Sequence, residues 1–260
     1  MAQSLMRELE VNFEIYKDSE ELAQNACEYL IERIGAILEK KEVVRIAVSG
    51  GSTPKRTFQL LSDPEIAPEV PWEKTEWYFV DERNVDPSSD ESNYKMFKTH
   101  LLDGLSVTPK VVRIQGELPP AEAAVLYSKE ITENMNLAPG EMPTFDLLLL
   151  GMGADGHTAS LFPHSKGLHV EDEIAIANFA PELEVWRITL TKTAINNANE
   201  VIFLISGKDK SETLKEVVFG DYNPELYPTT LIRPKNNTLL FLLDEAASAE
   251  VERYNLSDKL

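Results

Sequence analysis

The segment Phe145-Asp146-Leu147-Leu148-Leu149-Leu150, which runs directly into Gly151-Met152-Gly153-Ala154-Asp155-Gly156-His157, constrains the fold more than any other part of the chain. Being almost wholly apolar, it reads as a central strand buried on both faces of a parallel sheet. Such a strand needs helices above and below it, and the remaining sequence alternates to supply them. Val11–Tyr16 alternates like a strand, and Asp18 with Glu21 forms a capping-box pattern that opens an amphipathic helix to about Lys40. Val43–Val48 reads as a strand ending in Ser49-Gly50-Gly51-Ser52-Thr53-Pro54, with a helix over Lys55–Leu61.

The pattern continues with a strand over Glu76–Val80 running into Asp81-Glu82-Arg83-Asn84, and a helix from about Tyr94 to Leu102. A short strand near Val111–Ile114 and a helix over Ala121–Met135 follow. Beyond the leucine run come strands over Arg187–Leu190 and Val201–Ile205, a helix over Ser211–Val218 and a last strand over Leu239–Leu243. The expectation is an α/β fold: one domain over 1–260, with a mostly parallel sheet and helices on both faces. Ligands in such folds bind at the carboxyl ends of the strands.

Charge limits the partners. With 44 acidic against 25 basic residues the chain carries a formal charge of −19, a field that repels nucleic-acid backbones and anionic lipid surfaces. An anionic small molecule has to be held by a local cluster of cations and oriented amides. The single cysteine, Cys27, cannot form an internal disulfide and falls in a helical apolar pattern with Leu22, Ala23, Ala26, Leu30 and Ile34, so it reads as core. The opening residues lack a signal-peptide pattern, and no stretch approaches the ~18 apolar residues of a membrane helix, so a cytoplasmic location is expected.

Three loops carry chemistry. Ser49-Gly50-Gly51-Ser52-Thr53 lies between strand and helix and offers successive amides and a helix N-terminus to an anion; it lacks the Gly-Lys-Ser/Thr ending of a nucleotide-binding loop. Gly151, Gly153 and Gly156 spell G-x-G-x-x-G, with acids at Glu171 and Glu173 where a dinucleotide fold puts its ribose carboxylate. Against that reading, Pro163 arrives too soon for the long helix that holds a pyrophosphate. The same loop ends in Asp155-Gly156-His157, an imidazole beside a carboxylate able to orient it, and histidine suits proton transfer near neutral pH. Arg83, Arg187, Lys208 and Lys210 lie at strand ends and are candidate cations, while His100, His164 and His169 have no comparable setting.

Together Ser49–Pro54, Val80–Val85, Asp90–Tyr94 and the long run Gly151–Pro163 resemble the 6-phosphogluconolactonase family, in order and over nearly the whole chain. The resemblance implies a modified Rossmann-like fold, shared with glucosamine-6-phosphate deaminases and ribose-5-phosphate isomerases. It implies cofactor-free and metal-free hydrolysis of a sugar-phosphate lactone in the oxidative pentose phosphate pathway. His157 matches the family's general base, with Asp155 beside it. Gly50, Gly51, Ser52, Arg187 and Lys210 match the phosphate site, and Arg83 stands at the substrate. The rival chemistry is deamination of glucosamine 6-phosphate. In the deaminases the loop after Asp-Gly-His ends in Asn-Glu-Pro, whereas this chain has Leu161-Phe162-Pro163. A non-catalytic sugar-phosphate sensor is a third reading, but no helix-turn-helix extension or basic arm is visible as its output.

Overall fold

The computed structural model describes residues 4–257, so a domain read over 1–260 extends past the described residues at both ends. A short helix α1 (Leu5–Glu8) precedes strand β1 (Glu10–Tyr16). Helix α2 (Ser19–Leu38) begins where the capping pattern placed it: Asp18 accepts the amides of Glu20 and Glu21 at 3.1 and 3.0 Å. Glu21 turns back to the amide of Lys17, one residue before the cap, at 2.7 Å. Caps of this kind contribute ~1 kcal/mol each. The buried stripe of α2 is Leu22, Ala23, Ala26, Cys27, Leu30 and Ile34.

Strand β2 (Val44–Val48) leads to α3 (Ser52–Leu61), which starts three residues earlier than the helical pattern suggested and so puts the amides of the glycine loop into its first turn. Then follow β3 (Thr75–Phe79), β4 (Asp81–Arg83), α4 (Asn93–His100), β5 (Lys110–Val112), α5 (Pro120–Met135) and β6 (Leu147–Leu150). The last part comprises β7 (Ala175–Ala180), β8 (Val185–Leu190), α6 (Lys192–Asn196), β9 (Val201–Ile205), α7 (Ser211–Phe219), β10 (Thr238–Asp244) and α8 (Glu245–Ser257).

Among the described residues the larger sheet has seven strands in the order β1-β10-β9-β6-β2-β3-β5, all pairs parallel. Every residue of β6 and β9 is buried, as the leucine run required. From β2 the chain builds outward through β3 to β5, then returns to place β6 on the other side of β2. The topological switch point therefore lies between β2 and β6, and the crevice outside their carboxyl ends is bounded by the two glycine loops.

The mostly parallel sheet is as expected; beside it stands a second sheet, β4-β8-β7, which is antiparallel and was not read from the sequence. Val80 is the junction: its amide donates to the Val48 carbonyl in the large sheet, while its own carbonyl accepts the amide of Leu190 in the small one. Strand β7 escaped the sequence reading because Ala-Ile-Ala-Asn-Phe-Ala is rich in poor strand formers. No helix among the described residues is long and apolar enough to cross a membrane.

Candidate active site

A cavity of about 290 Å³ opens at the switch point, walled by Ser49–Pro54, the start of the second glycine loop, His157, Arg83, Lys210 and the small sheet's Asp81. Two hydroxyl bonds fix its floor. Ser49 Oγ donates to the Leu149 carbonyl at 3.0 Å, locking β2 to β6, and Thr53 Oγ1 meets Ser206 Oγ at 2.9 Å, joining the first turn of α3 to the end of β9. The first turn of α3 therefore opens onto the cavity with the positive end of its dipole. Gly50 is required by close approach, since a Cβ there would lie 1.9 Å from Asn93 Oδ1.

On the other loop, the Gly153 amide donates to the His157 carbonyl at 2.8 Å, folding the segment into a tight turn. His157 Nδ1 stands 2.6 Å from Asp155 Oδ1, which also accepts the His157 amide at 3.2 Å. Burial raises the Asp155 carboxyl, but its hydrogen bonds and the charge of His157 outweigh that and hold it below the usual carboxylate range. An ionised Asp155 can only accept, so the short bond assigns the proton of the neutral imidazole to Nδ1 and leaves Nε2 as the free base. The ring packs on Phe162 with centroids 4.6 Å apart and planes at 38°. Phe162 is buried.

The candidate cations separate into two groups. Lys210 lies in the turn after Gly207, its Nζ 2.9 Å from Asp209 Oδ2, and lines the cavity on the β9 side; Lys208 is exposed and outside the wall. Arg83 lines the opposite side and donates to the Glu91 carbonyl. Arg187 is not in the wall. It is the cross-strand partner of Arg83, and burial together with the Arg83 charge lowers the pKa of its guanidinium. Placing two guanidiniums on adjacent strands is unfavourable unless negative charge gathers there.

Of the positions expected from sequence, Gly50, Gly51, Ser52, Arg83, His157 and Lys210 converge on one cavity, with Asp155 one hydrogen bond behind. Thr53 of the first glycine loop also lines the cavity, as does Asp81, read from sequence with Glu82 and Arg83 as a site edge with acceptor and cationic groups, while Asn93 stood in the sequence reading only within the Asp90–Tyr94 run and had no site role. Their signal was position alone, at strand and helix ends facing the switch point. No dinucleotide helix follows Gly156: the chain forms a Thr158–Leu161 bridge and then a 3-10 turn at Lys166–His169, and Glu171 pairs with Lys192 at 2.8 Å. Among the described residues no three His, Cys, Asp or Glu side chains are grouped to hold a metal ion.

Fold and cavity together define an α/β protein with a crevice at its switch point, lined by a glycine loop, Arg83 and Lys210, and an imidazole–carboxylate pair beside it. The chain belongs to the family described as glucosamine-6-phosphate isomerases/6-phosphogluconolactonase, whose model matches residues 17–241. It is 35% identical over 241 residues to a 6-phosphogluconolactonase of Nostoc sp., covering 92% of this chain and 97% of that relative. The solved 6-phosphogluconolactonase of Trypanosoma cruzi superposes with a TM-score of 0.81 at 29% identity, covering 94% of this chain and 98% of that one. A monomeric glucosamine-6-phosphate deaminase shares the fold, with a TM-score of 0.75 at 16% identity over 92% of this chain and 99% of that structure.

Proposed function

We propose that the protein hydrolyses 6-phospho-D-glucono-1,5-lactone to 6-phosphogluconate, with His157 as general base. The observation that carries this reading is the Asp155–His157 pair, with the ring packed on Phe162, the position at which the resemblance puts a glutamate in the deaminases. The similarity to proteins named 6-phosphogluconolactonase supports it. The phosphate is held by the first-turn amides of α3 and by Lys210, and Arg187 adds positive charge beside Arg83. His157 Nε2 takes a proton from water as the water oxygen attacks C1. Arg83 or loop amides hold the tetrahedral oxyanion, and the imidazolium returns the proton to the ring oxygen as the C1–O bond breaks. The reaction consumes one water and needs neither cofactor nor metal.

The test is acid release from freshly generated lactone, with the spontaneous hydrolysis subtracted. The phosphorylated lactone should be strongly preferred over gluconolactone. Neutralising Lys210 should weaken binding by ~1.5–3 kcal/mol, read as a KM increase of about 10- to 150-fold with a smaller change in kcat, and neutralising Arg187, which stands outside the wall, should raise KM by less. Equal activity on the two lactones would contradict the anion site.

The deaminase rival predicts a different product. Isomerisation with deamination moves protons at the ring oxygen and between two carbons, whereas lactone hydrolysis needs one base and one water. Phe162 carries no proton to move. Ammonia release from glucosamine 6-phosphate should be absent, and Phe162→Glu alone should not create it. Robust ammonia production by the unmodified protein would make the deaminase the correct reading.

A further inference from the structure

Asp81 has an uncommon environment for a carboxylate in a cavity wall. It is 7% exposed, and Ser160 Oγ donates to its Oδ2 at 2.6 Å. Its Oδ1 receives only a long contact, 3.4 Å, from Asn93 Nδ2, whose better bond goes to the Asp81 backbone carbonyl at 3.0 Å. Among the described residues no lysine, arginine or histidine forms an ion pair with it. A carboxylate offers about four lone-pair sites, and burying them without donors is unfavourable. One strong donor leaves most of that capacity open toward the cavity that Asp81 lines.

Asn93 supplies a second acceptor. Its amide nitrogen is committed to Asp81, which turns Oδ1 toward Gly50 in the same wall, where no donor among the described residues bonds it. Two oxygen acceptors side by side, one of them charged, repel a phosphate and attract hydroxyl donors. Lys210 and the Thr53–Ser206 junction belong to the β9 side of the cavity, while Asp81 and Asn93 come from β4 and α4 beyond β2, with Asn93 abutting Gly50 of the first glycine loop.

Building on the lactonase reading, we infer that Asp81, supported by Asn93, accepts a hydrogen bond from a ring hydroxyl of the substrate and makes the enzyme selective for a polyhydroxylated lactone. Asp81 is thereby a specificity-determining residue. Ser160 is a positioning residue: its hydroxyl orients the carboxylate, its amide bonds Thr189 Oγ1 at 3.3 Å, and its carbonyl accepts from Asn178 at 2.8 Å.

The test crosses variants with substrates. Wild type, Asp81→Asn and Ser160→Ala are each assayed for kcat/KM on 6-phosphogluconolactone and on its 2-, 3- and 4-deoxy analogues. One deoxy analogue should cost wild type about 10- to 100-fold, the scale of one hydrogen bond to a charged acceptor. Asp81→Asn should cost a similar factor on the parent lactone but little more on that analogue, because the lost hydroxyl and the lost charge remove the same contact. Ser160→Ala, which releases the carboxylate that its hydroxyl orients, should lower the parent lactone and the two analogues that keep the contacted hydroxyl, and the sensitive analogue least. If Asp81→Asn lowers all four substrates equally, Asp81 merely holds the loop and the inference is overturned while the lactonase reading stands. A wild-type protein that leaves the parent lactone at its spontaneous rate overturns both.

Discussion

His157→Ala is expected to bind the lactone with nearly unchanged affinity and to lose on the order of 10²–10⁴ in kcat, the usual worth of a positioned general base. The fold should survive, because the ring lies at the cavity wall and its packing partner Phe162 belongs to the same loop. Asp155→Asn tests the same pair from the other side. An amide can donate to Nδ1, which moves the ring proton to Nε2 and removes the base without removing the imidazole. Acid should expose Asp155 late. Its carboxyl is held below its ordinary value in the fold, so its contribution is complete above the unfolded value and is lost only as pH falls through the lowered folded one. A His157→Ala protein with near-normal turnover and unchanged melting would remove the imidazole from the mechanism.

The parts of the molecule legible in the sequence are those governed by local pattern. The leucine run demanded burial on both faces and received it, and Asp18 announced α2 because a cap is made by residues two and three positions away. The Gly153 turn was legible for a related reason. A Cβ there would meet His157 Nδ1 at 2.2 Å and Asp155 Oδ1 at 2.4 Å, so the glycine and the pair it accommodates are neighbours in the chain. Helix α8 was overlooked although Glu245-Ala-Ala-Ser-Ala-Glu favours a helix.

What the sequence did not disclose is long-range. That Asp81–Arg83 leaves the main sheet to pair with β8 depends on Val80 bonding Val48 on one side and Leu190 on the other, contacts between segments far apart in the chain. The same distance hides Asn93 over Gly50 and places Arg187 opposite Arg83 rather than in the cavity wall. Residue type announces such groups as candidates; only strand register decides which of them meet.

The largest loss of stability from a single change near the site is expected at Glu82, which does not itself line the cavity. Its carboxylate accepts the amides of Arg83 and Tyr94 at 2.8 Å, the amide of Asn93 at 2.7 Å and the Ser92 hydroxyl at 3.0 Å. Two of those amides are the first of α4. Ser92 takes the next, Lys95, at 3.1 Å, so the three leading donors of the helix are satisfied by two side chains. Burial raises the Glu82 carboxyl above its ordinary value despite these donors, so as pH rises through that interval the folded state loses part of the group's contribution. Glu82→Ala leaves three amides and a hydroxyl unpaired in a buried region, a cost of ~3–5 kcal/mol. Urea unfolding should show a clear fall in midpoint with little change in slope. Glu82→Gln should recover about half, since its one carbonyl oxygen can accept two donors while its NH₂ opposes the rest. Because the same carboxylate fixes Arg83 to Asn93, the alanine variant should also lose lactone affinity under conditions where it remains folded. A loss below ~1 kcal/mol, with affinity intact, would mean that water replaces the carboxylate and that α4 is held in place by its apolar face alone.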